Sequence, residues 1–457
     1  MRRYISGKKP GKEPAPGCPA ETITVIGLWH QGIVGAACLA DAGFDVIAGD
    51  ADSARVEELR RRSPPVYEPG LVELIDAGLA RGKLRFTSDL ERAVRGSTQV
   101  WLMHDTPVDE DDNPDVGRLV SDLHRIIAGL PDEVPILVTA QVPVGTCGML
   151  EAEIRRRRPG LQAGIAYSPE NLRLGRAIER FRNPALPVIG TDHDWVFDRV
   201  SGVLGVFHQE WQRCDLRTAE MLKHALNAFL AAQVTFGNEI GNLCESVNVD
   251  GRRLAELLRR EPRVGPQAML SPGLGFSGGT LARDTRTLLR IARLHGVPTP
   301  FLNGLWEANQ QQLLLPVRRL ERTLGSLQGR RIAVWGLTYK PGTSTLRRSA
   351  SLTIIAELLK RGASVRAYDP RADVSELAEA DFEVREDAIS PCDEADALLV
   401  VTGWPEFREQ DFAEVARRMK GNIVFDCNNV LSPYGLAAHG LRWHGIGVGR
   451  RTDEYED

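Results

Sequence analysis

No two of the seven cysteines (Cys18, Cys38, Cys147, Cys214, Cys244, Cys392, Cys427) have C-x-x-C spacing, so neither a zinc site nor a dithiol redox pair is signalled. No apolar run approaches the ~18 residues of a membrane span. The first 20 residues (MRRYISGKKPGKEPAPGCPA) carry no apolar core of leader length, so this segment reads as a disordered tail. An excess of positive charge is also missing. Lys and Arg total 57 against 61 Asp and Glu, a formal net charge of -4, which argues against a nucleic-acid partner. The odd, dispersed cysteines fit a reducing cytoplasm better than a disulfide-stapled secreted fold. The run Arg155 to Arg158 is one candidate phosphate pocket, but a solvated helix end is the more economical reading. Hydrophobic residues make up 42% and charged residues 26%, ordinary soluble-globular composition for two or three domains.

What is present is organised in blocks. ITVIGLWHQGIVGAACLADAGFDVIAGDAD reads strand, glycine turn, helix, strand, a βαβ unit. Strands are expected at Gln99 to Met103, Ile136 to Thr139 and Pro187 to Gly190, an alternation that implies a mostly parallel sheet. The acidic stretch Asp109 to Asp115 is expected to be a loop. From Thr218 the period becomes helical over a long, nearly all-round apolar run, which must be buried in a core or an interface. The glycine-rich loop SPGLGFSGGTLARD interrupts it, and helices follow to about Leu324. A second α/β block opens with RIAVWGLTYKPG, its helix expected over Ala350 to Arg361. The expected fold is therefore α/β. A tail over 1–20 precedes a dinucleotide-binding Rossmann-like domain over 21–212. A central long-helix dimerisation domain over 213–325 joins it to a second Rossmann-like, doubly wound parallel-sheet domain over 326–457.

Gly27, Gly32 and Gly35 follow the first strand, and Asp50 ends the second. In a dinucleotide fold the first glycine makes the tight turn, the pyrophosphate rests on the helix N-terminus, and the acid holds the ribose hydroxyls, favouring NAD over NADP. The second glycine of G-x-G-x-x-G, where the backbone approaches the pyrophosphate, is here Trp29.

Further short segments occur in a fixed order: YEPGL at Tyr67 to Leu71, DTP at Asp105 to Pro107, VPVGT at Val142 to Thr146 and SPENLRLG at Ser168 to Gly175. They continue with AEMLKHALNAF, NEI at Asn238 to Ile240, RVG at Arg263 to Gly265, GLTYKPGT at Gly336 to Thr343, RAYDP and TGWPEF. In this order, across more than 400 positions, the chain resembles the UDP-glucose and GDP-mannose dehydrogenases. That resemblance implies NAD as cofactor, a nucleotide-sugar substrate, and oxidation of a C6 alcohol to an acid through an aldehyde and a cysteine thioester. It implies cofactor contacts at Gly27, Trp29, Gly32, Asp50, Thr106 and Gln141. It implies substrate contacts at Glu170, Asn171, Leu172, Lys223, Asn227, Gly275, Phe276, Lys340 and Arg347, with Arg263 reaching the neighbouring subunit of a homodimer. Lys223 and Asn227, four apart on one helix face, match the family's polar pair, Asp284 its aspartate and Glu170 its candidate general base.

Other positions depart from the family. The thiol position holds Thr280, and no cysteine lies between Cys244 and Cys392. Arg283 stands for the usual lysine, Leu174 for the second glutamate, Gln141 for a threonine and Asn428 for an arginine; Ser344 and Thr345 replace aspartates. A hydroxyl needs a dedicated base to become a nucleophile, whereas a thiol is partly ionised near neutral pH. Three readings follow. The first is a two-electron oxidation or redox-neutral variant acting on a nucleotide sugar, by resemblance a UDP-hexose. The second is a four-electron 6-dehydrogenase without a thioester. The third is a non-catalytic nucleotide-sugar-binding protein.

Overall fold

The computed structural model describes residues 21–106, 114–169, 172–377, 380–431 and 433–449. The chain forms two compact units, 1–224 and 225–457. Among the described residues no helix is long and apolar enough to cross a membrane. The 1–20 segment, most of the acidic stretch, Glu170 and Asn171 lie outside the described residues.

The first unit is built on an eight-stranded sheet: β1 (Thr22–Ile26), β2 (Asp45–Gly49), β3 (Leu84–Thr87), β4 (Gln99–Leu102), β5 (Val134–Val138), β6 (Ala163–Tyr167), β7 (Val188–Gly190) and β8 (Gln212–Cys214). Its order is β3-β2-β1-β4-β5-β6-β7-β8, and every pairing is parallel except β6 with β7. Helices cover both faces, so the central strands are apolar on both sides. Ile23 and Val25 of β1, Trp101 of β4 and Leu137 of β5 face the core that contains Ile33 and Leu39 of the helix His30–Asp41. Ile26, Val100, Leu102 and Ile136 face the opposite core, with Leu123 and Leu150. The arginine run ends the helix Thr146–Arg157. Arg155, Arg156 and Arg157 are largely solvated and pair with Glu151 and Glu153, so the run is a solvated helix end rather than a phosphate pocket.

The helix Leu216–Ser246 is 31 residues long, roughly 46 Å at 1.5 Å per residue. In the second unit it is followed by helices Gly251–Leu258, Leu281–Leu294, Pro300–Leu313 and Leu315–Leu324. Phe229, Phe236 and Leu243, seven residues apart on one face of this helix, are 62%, 51% and 61% exposed in the single chain, while its other faces carry buried residues such as Ala219, Ala228 and Ala231. The unit's sheet comprises β9 (Arg331–Trp335), β10 (Ser364–Tyr368), β11 (Glu383–Val384), β12 (Ala397–Val400), β13 (Ile423–Asp426) and β14 (Arg442–Gly445). All pairings are parallel, in the order β11-β10-β9-β12-β13-β14. Val334, Leu399 and Phe425 point to one core and Trp335, Leu398 and Val424 to the other. The molecule thus has the expected two doubly wound sheets with a long-helix region between them in sequence.

Candidate active site

In the first sheet β1 lies between β2 and β4, so the strand order reverses there, the place beyond the strands' carboxyl ends where open α/β sheets bind their ligands. Gly27 turns the chain out of β1 with φ +94°, a conformation that glycine adopts without strain. A Cβ on Gly32 would lie 1.7 Å from the Gly27 carbonyl oxygen, so helix and turn pack this closely only because Gly32 has no side chain. Trp29 is the helix N-cap at φ −80° and ψ −150°, open to any residue, so losing glycine here costs no backbone strain. Trp29 is 43% exposed, and the Arg55 guanidinium lies 4.4 Å from its ring centroid. The cap makes no side-chain hydrogen bond and the first turn carries no acid, which fits a helix N-terminus open to a pyrophosphate. Gly32→Ala is expected to abolish NAD binding measured by calorimetry and to lower the melting temperature. Unchanged NAD affinity would rule out this turn as the pyrophosphate cradle.

Asp50 is 2% exposed. It accepts from Leu28 N–H at 2.8 Å and Asp52 N–H at 2.9 Å, and its Oδ1 pairs with Arg118 Nη2 at 2.5 Å. The acid expected to meet the ribose is therefore held in place by backbone donors and already neutralised by an arginine that sequence reading missed. Thr106 and Gln141, both partly buried, follow β4 and β5 at the same edge of the sheet. Beneath the turn, Gln31 bonds the His104 carbonyl and accepts from Thr139, while His104 Nε2 meets Asp122 Oδ2 at 2.9 Å. A buried polar network of this kind leaves no periodic mark in a sequence. Glu68 of YEPGL accepts from the Gly175 and Ala177 amides at 2.8 and 2.7 Å, orienting the chain just after Leu172, which is partly buried against the core.

Lys223 and Asn227 stand four apart on the long helix, 7% and 5% exposed. Asn227 donates from Nδ2 to Asp284, which is fully buried in the first turn of the helix Leu281–Leu294. Thr280 is the N-cap of that helix and is exposed; its carbonyl accepts from Asp284 N–H at 3.1 Å. The preceding loop is held by side-chain amides. Asn238 bonds Gly273 N–H and Leu274 O at 2.9 and 3.0 Å, Gln312 donates to Gly273 O at 2.7 Å, and Asn309 bonds both the N–H and the C=O of Phe276 at 2.7 and 3.0 Å. Phe276 is buried against Trp306, and Gly275 has room for no Cβ beside Asn309. Asn309 and Gln312 sit at ordinary helical positions and gave no sequence signal. Arg263 projects into solvent beside Glu261, 2.8 Å away.

The thiols of the described cysteines are all shifted upward. Burial pushes Cys38 and Cys392 up to about 12 and raises Cys214 and Cys244. Burial holds Cys427 well above its ordinary range, and burial together with the neighbouring Glu220 carboxylate does the same to Cys147.

The second sheet repeats the turn of the first. Gly336 leaves β9 at φ +91°, and a Cβ there would lie 2.5 Å from the Thr402 backbone nitrogen. Asp369, after β10, occupies the place Asp50 has in the first sheet. It accepts from Leu337, Thr338, Arg371 and Ala372 N–H groups, from the Thr338 hydroxyl and from Trp404 Nε1, all at 2.7–3.0 Å. Its carboxylate is saturated and shapes the loop rather than presenting a ribose acceptor. Lys340 and Arg347 are exposed on that loop.

Residues 21–204 match the NAD binding domain of the UDP-glucose/GDP-mannose dehydrogenase family, 217–311 its central domain and 333–433 its UDP binding domain. The chain is 32% identical over 428 residues to the UDP-glucose 6-dehydrogenase TuaD of Bacillus subtilis, covering 93% of each. It is 33% identical over 434 residues to a UDP-glucose 6-dehydrogenase of Rhizobium meliloti, covering 93% of this chain and 99% of the relative. The solved structure of a UDP-glucose dehydrogenase from Pyrobaculum islandicum superimposes with a TM-score of 0.85 at 28% identity, covering 97% of this chain and all of the other. Three domain models matched in chain order, and relatives matched over nearly their whole length, place the chain in the UDP-glucose/GDP-mannose dehydrogenase family, NAD-dependent oxidoreductases of nucleotide sugars.

Proposed function

We propose that this enzyme oxidises a UDP-hexose by two electrons, or runs a redox-neutral variant of that step, without a cysteine thioester. The observation that carries the reading is Thr280, an exposed residue at the N-cap where the family resemblance places the thiol. The described cysteines offer no substitute, since each is shifted away from ionisation. NAD, when bound, supplies the hydride acceptor. Gly27, Gly32 and the N-terminus of the helix His30–Asp41 would hold its pyrophosphate, Asp50 with Arg118 its ribose, and Trp29, Thr106 and Gln141 its flanks. On the substrate side, Lys223 and Asn227 stabilise the alkoxide that forms as the hydroxyl proton leaves, Asp284 fixes the Asn227 amide, and Glu170 is the candidate base. Asn171, Leu172, Gly275, Phe276, Lys340 and Arg347 contact the sugar nucleotide. UDP is chosen because both curated relatives above are UDP-glucose 6-dehydrogenases.

We divide the chain functionally into NAD-binding (21–212), dimerisation (213–325) and nucleotide-sugar-binding (326–457) domains, and place it in the cytoplasm, where its unpaired thiols stay reduced. The exposed Phe229, Phe236 and Leu243 stripe supports a symmetric homodimer, with Arg263 completing the partner's site. Phe236→Glu combined with Leu243→Glu is expected to give monomers in sedimentation velocity. A wild-type protein that already sediments as a monomer at micromolar concentration would exclude the dimer.

The reading is tested by incubating the protein with NAD and UDP-, GDP- and dTDP-hexoses, with hydroxylamine present, followed by mass spectrometry. A product two mass units lighter, or its oxime, supports the two-electron step, and an isomer of unchanged mass supports the redox-neutral variant. A uronic acid with two NADH per sugar overturns the reading and makes this a four-electron dehydrogenase.

A further inference from the structure

The loop that carries residue 280 is gripped by a second loop of the same unit, and the grip involves residues for which the proposed chemistry has no use. Gly278 has φ +78°, and a Cβ there would lie 2.8 and 2.9 Å from Cε2 and Cδ2 of Tyr339. The Tyr339 ring therefore rests directly on the Gly278 Cα, and the contact exists only because residue 278 is glycine. From the other side, Gly278 N–H donates to the Arg348 carbonyl at 3.0 Å. Arg348 holds φ +59°, a left-handed conformation that a non-glycine residue keeps only when its surroundings impose it. Those surroundings are visible. Tyr339 N–H closes the loop onto Thr345 O at 3.1 Å, and Ser349 N–H bonds Leu346 O at 2.9 Å. Ser349 then caps the helix Ala350–Lys360, and Ser351 Oγ donates to Gly336 O at 2.8 Å. The loop is thus anchored at both ends to the second sheet. Lys340, the next residue, places its ammonium 5.6 Å from the Tyr339 ring centroid.

We infer that Tyr339 and the Arg348 carbonyl form a clasp on Gly278 through which binding of a nucleoside diphosphate at Lys340 sets the position of residue 280. This rests on the proposed reading in one respect: that Lys340 contacts the nucleotide and residue 280 faces the reacting carbon. Tyr339 is a positioning residue. An anion that draws Lys340 towards it acts on the ring stacked beneath that ammonium, and the ring bears on Gly278, two residues before Thr280. At its other end Thr280 is tied through its carbonyl to Asp284, which accepts from Asn227. Nucleotide occupancy and the geometry of the site are therefore linked through packed atoms rather than through a mobile segment.

The test uses the full-length chain, with UDP as the probe, and reads backbone hydrogen exchange of the peptides covering residues 275–283 alongside steady-state kinetics. In the wild type, saturating UDP is expected to slow exchange at Gly278 at least tenfold. In Tyr339→Ala, UDP still binds by calorimetry but the slowing is lost, kcat falls at least tenfold and KM for NAD stays within twofold. Tyr339→Phe restores both, because the ring and not the hydroxyl covers Gly278. An absence of UDP-dependent protection in the wild type overturns the clasp, as does Tyr339→Ala with protection and kcat intact. The exchange measurement needs no turnover, so it stands or falls separately from the identity of the product.

Discussion

Lys223→Met is expected to lower kcat by about 10²–10³ while leaving KM for NAD unchanged. The side chain is 7% exposed in the long helix, four residues before Asn227 and on its face. A cation about 4 Å from a developing alkoxide, at the effective dielectric of a partly dry site, contributes on the order of 4 kcal/mol, and each ~1.4 kcal/mol corresponds to tenfold in rate. Solvent relaxation and the remaining Asn227 donor reduce that to the range given for loss of one preorganised donor. Methionine keeps the length and apolar stem of lysine, so helix packing is retained and the loss reports charge. The measurement is the single-turnover rate of NADH formation. A fall of less than threefold would take Lys223 out of the alkoxide-stabilising role.

Thr280→Cys is expected to change the reaction's stoichiometry rather than its rate. A thiol at this position would be exposed at the N-terminus of the helix Leu281–Leu294, a setting that lowers a thiol pKa. The native cysteines experience the opposite, with burial as the largest cause at every described one. The new thiolate adds to the aldehyde carbon to give a thiohemiacetal. Loss of a second hydride to a second NAD gives a thioester, and water releases the acid and the thiol. Two NADH per sugar and a uronic acid are the expected products, counted by absorbance and mass spectrometry. A variant that makes the same product as the wild type would show that residue 280 does not face the carbon being oxidised.

The residues behind these two variants are legible in the sequence to different depths. The turn glycines, Asp50 after the second strand and the i, i+4 spacing of Lys223 and Asn227 are local features. Each is dictated by a backbone angle, a strand end or a helical repeat, so the residue order alone reveals them, as it does both predominantly parallel sheets. The absence of a cysteine from the glycine loop is equally plain. Asp50 shows where legibility stops. Its place after β2 is readable, but not the arginine of a later helix that pairs with it, because a charge pair across 68 positions leaves no periodic trace. Asp369 looks like its counterpart in the strand–turn pattern, yet only the folded loop shows its carboxylate filled by backbone donors. The amides of Asn238, Asn309 and Gln312 likewise look like unremarkable polar positions until the helices bring them onto the backbone of residues 273–276.

By itself, then, the sequence determined the order of elements, the two doubly wound sheets, the cofactor class and the chemical inventory at position 280. These follow from short-range sterics, hydrophobic period and residue identity, all of which act within a few residues. Only the tertiary structure decided which carboxylate is neutralised, which face of the long helix stays apolar and exposed, and which loop holds Gly278, two residues before Thr280. Those depend on side chains far apart in sequence meeting at van der Waals or hydrogen-bond distance, and such meetings exist only once the chain has packed.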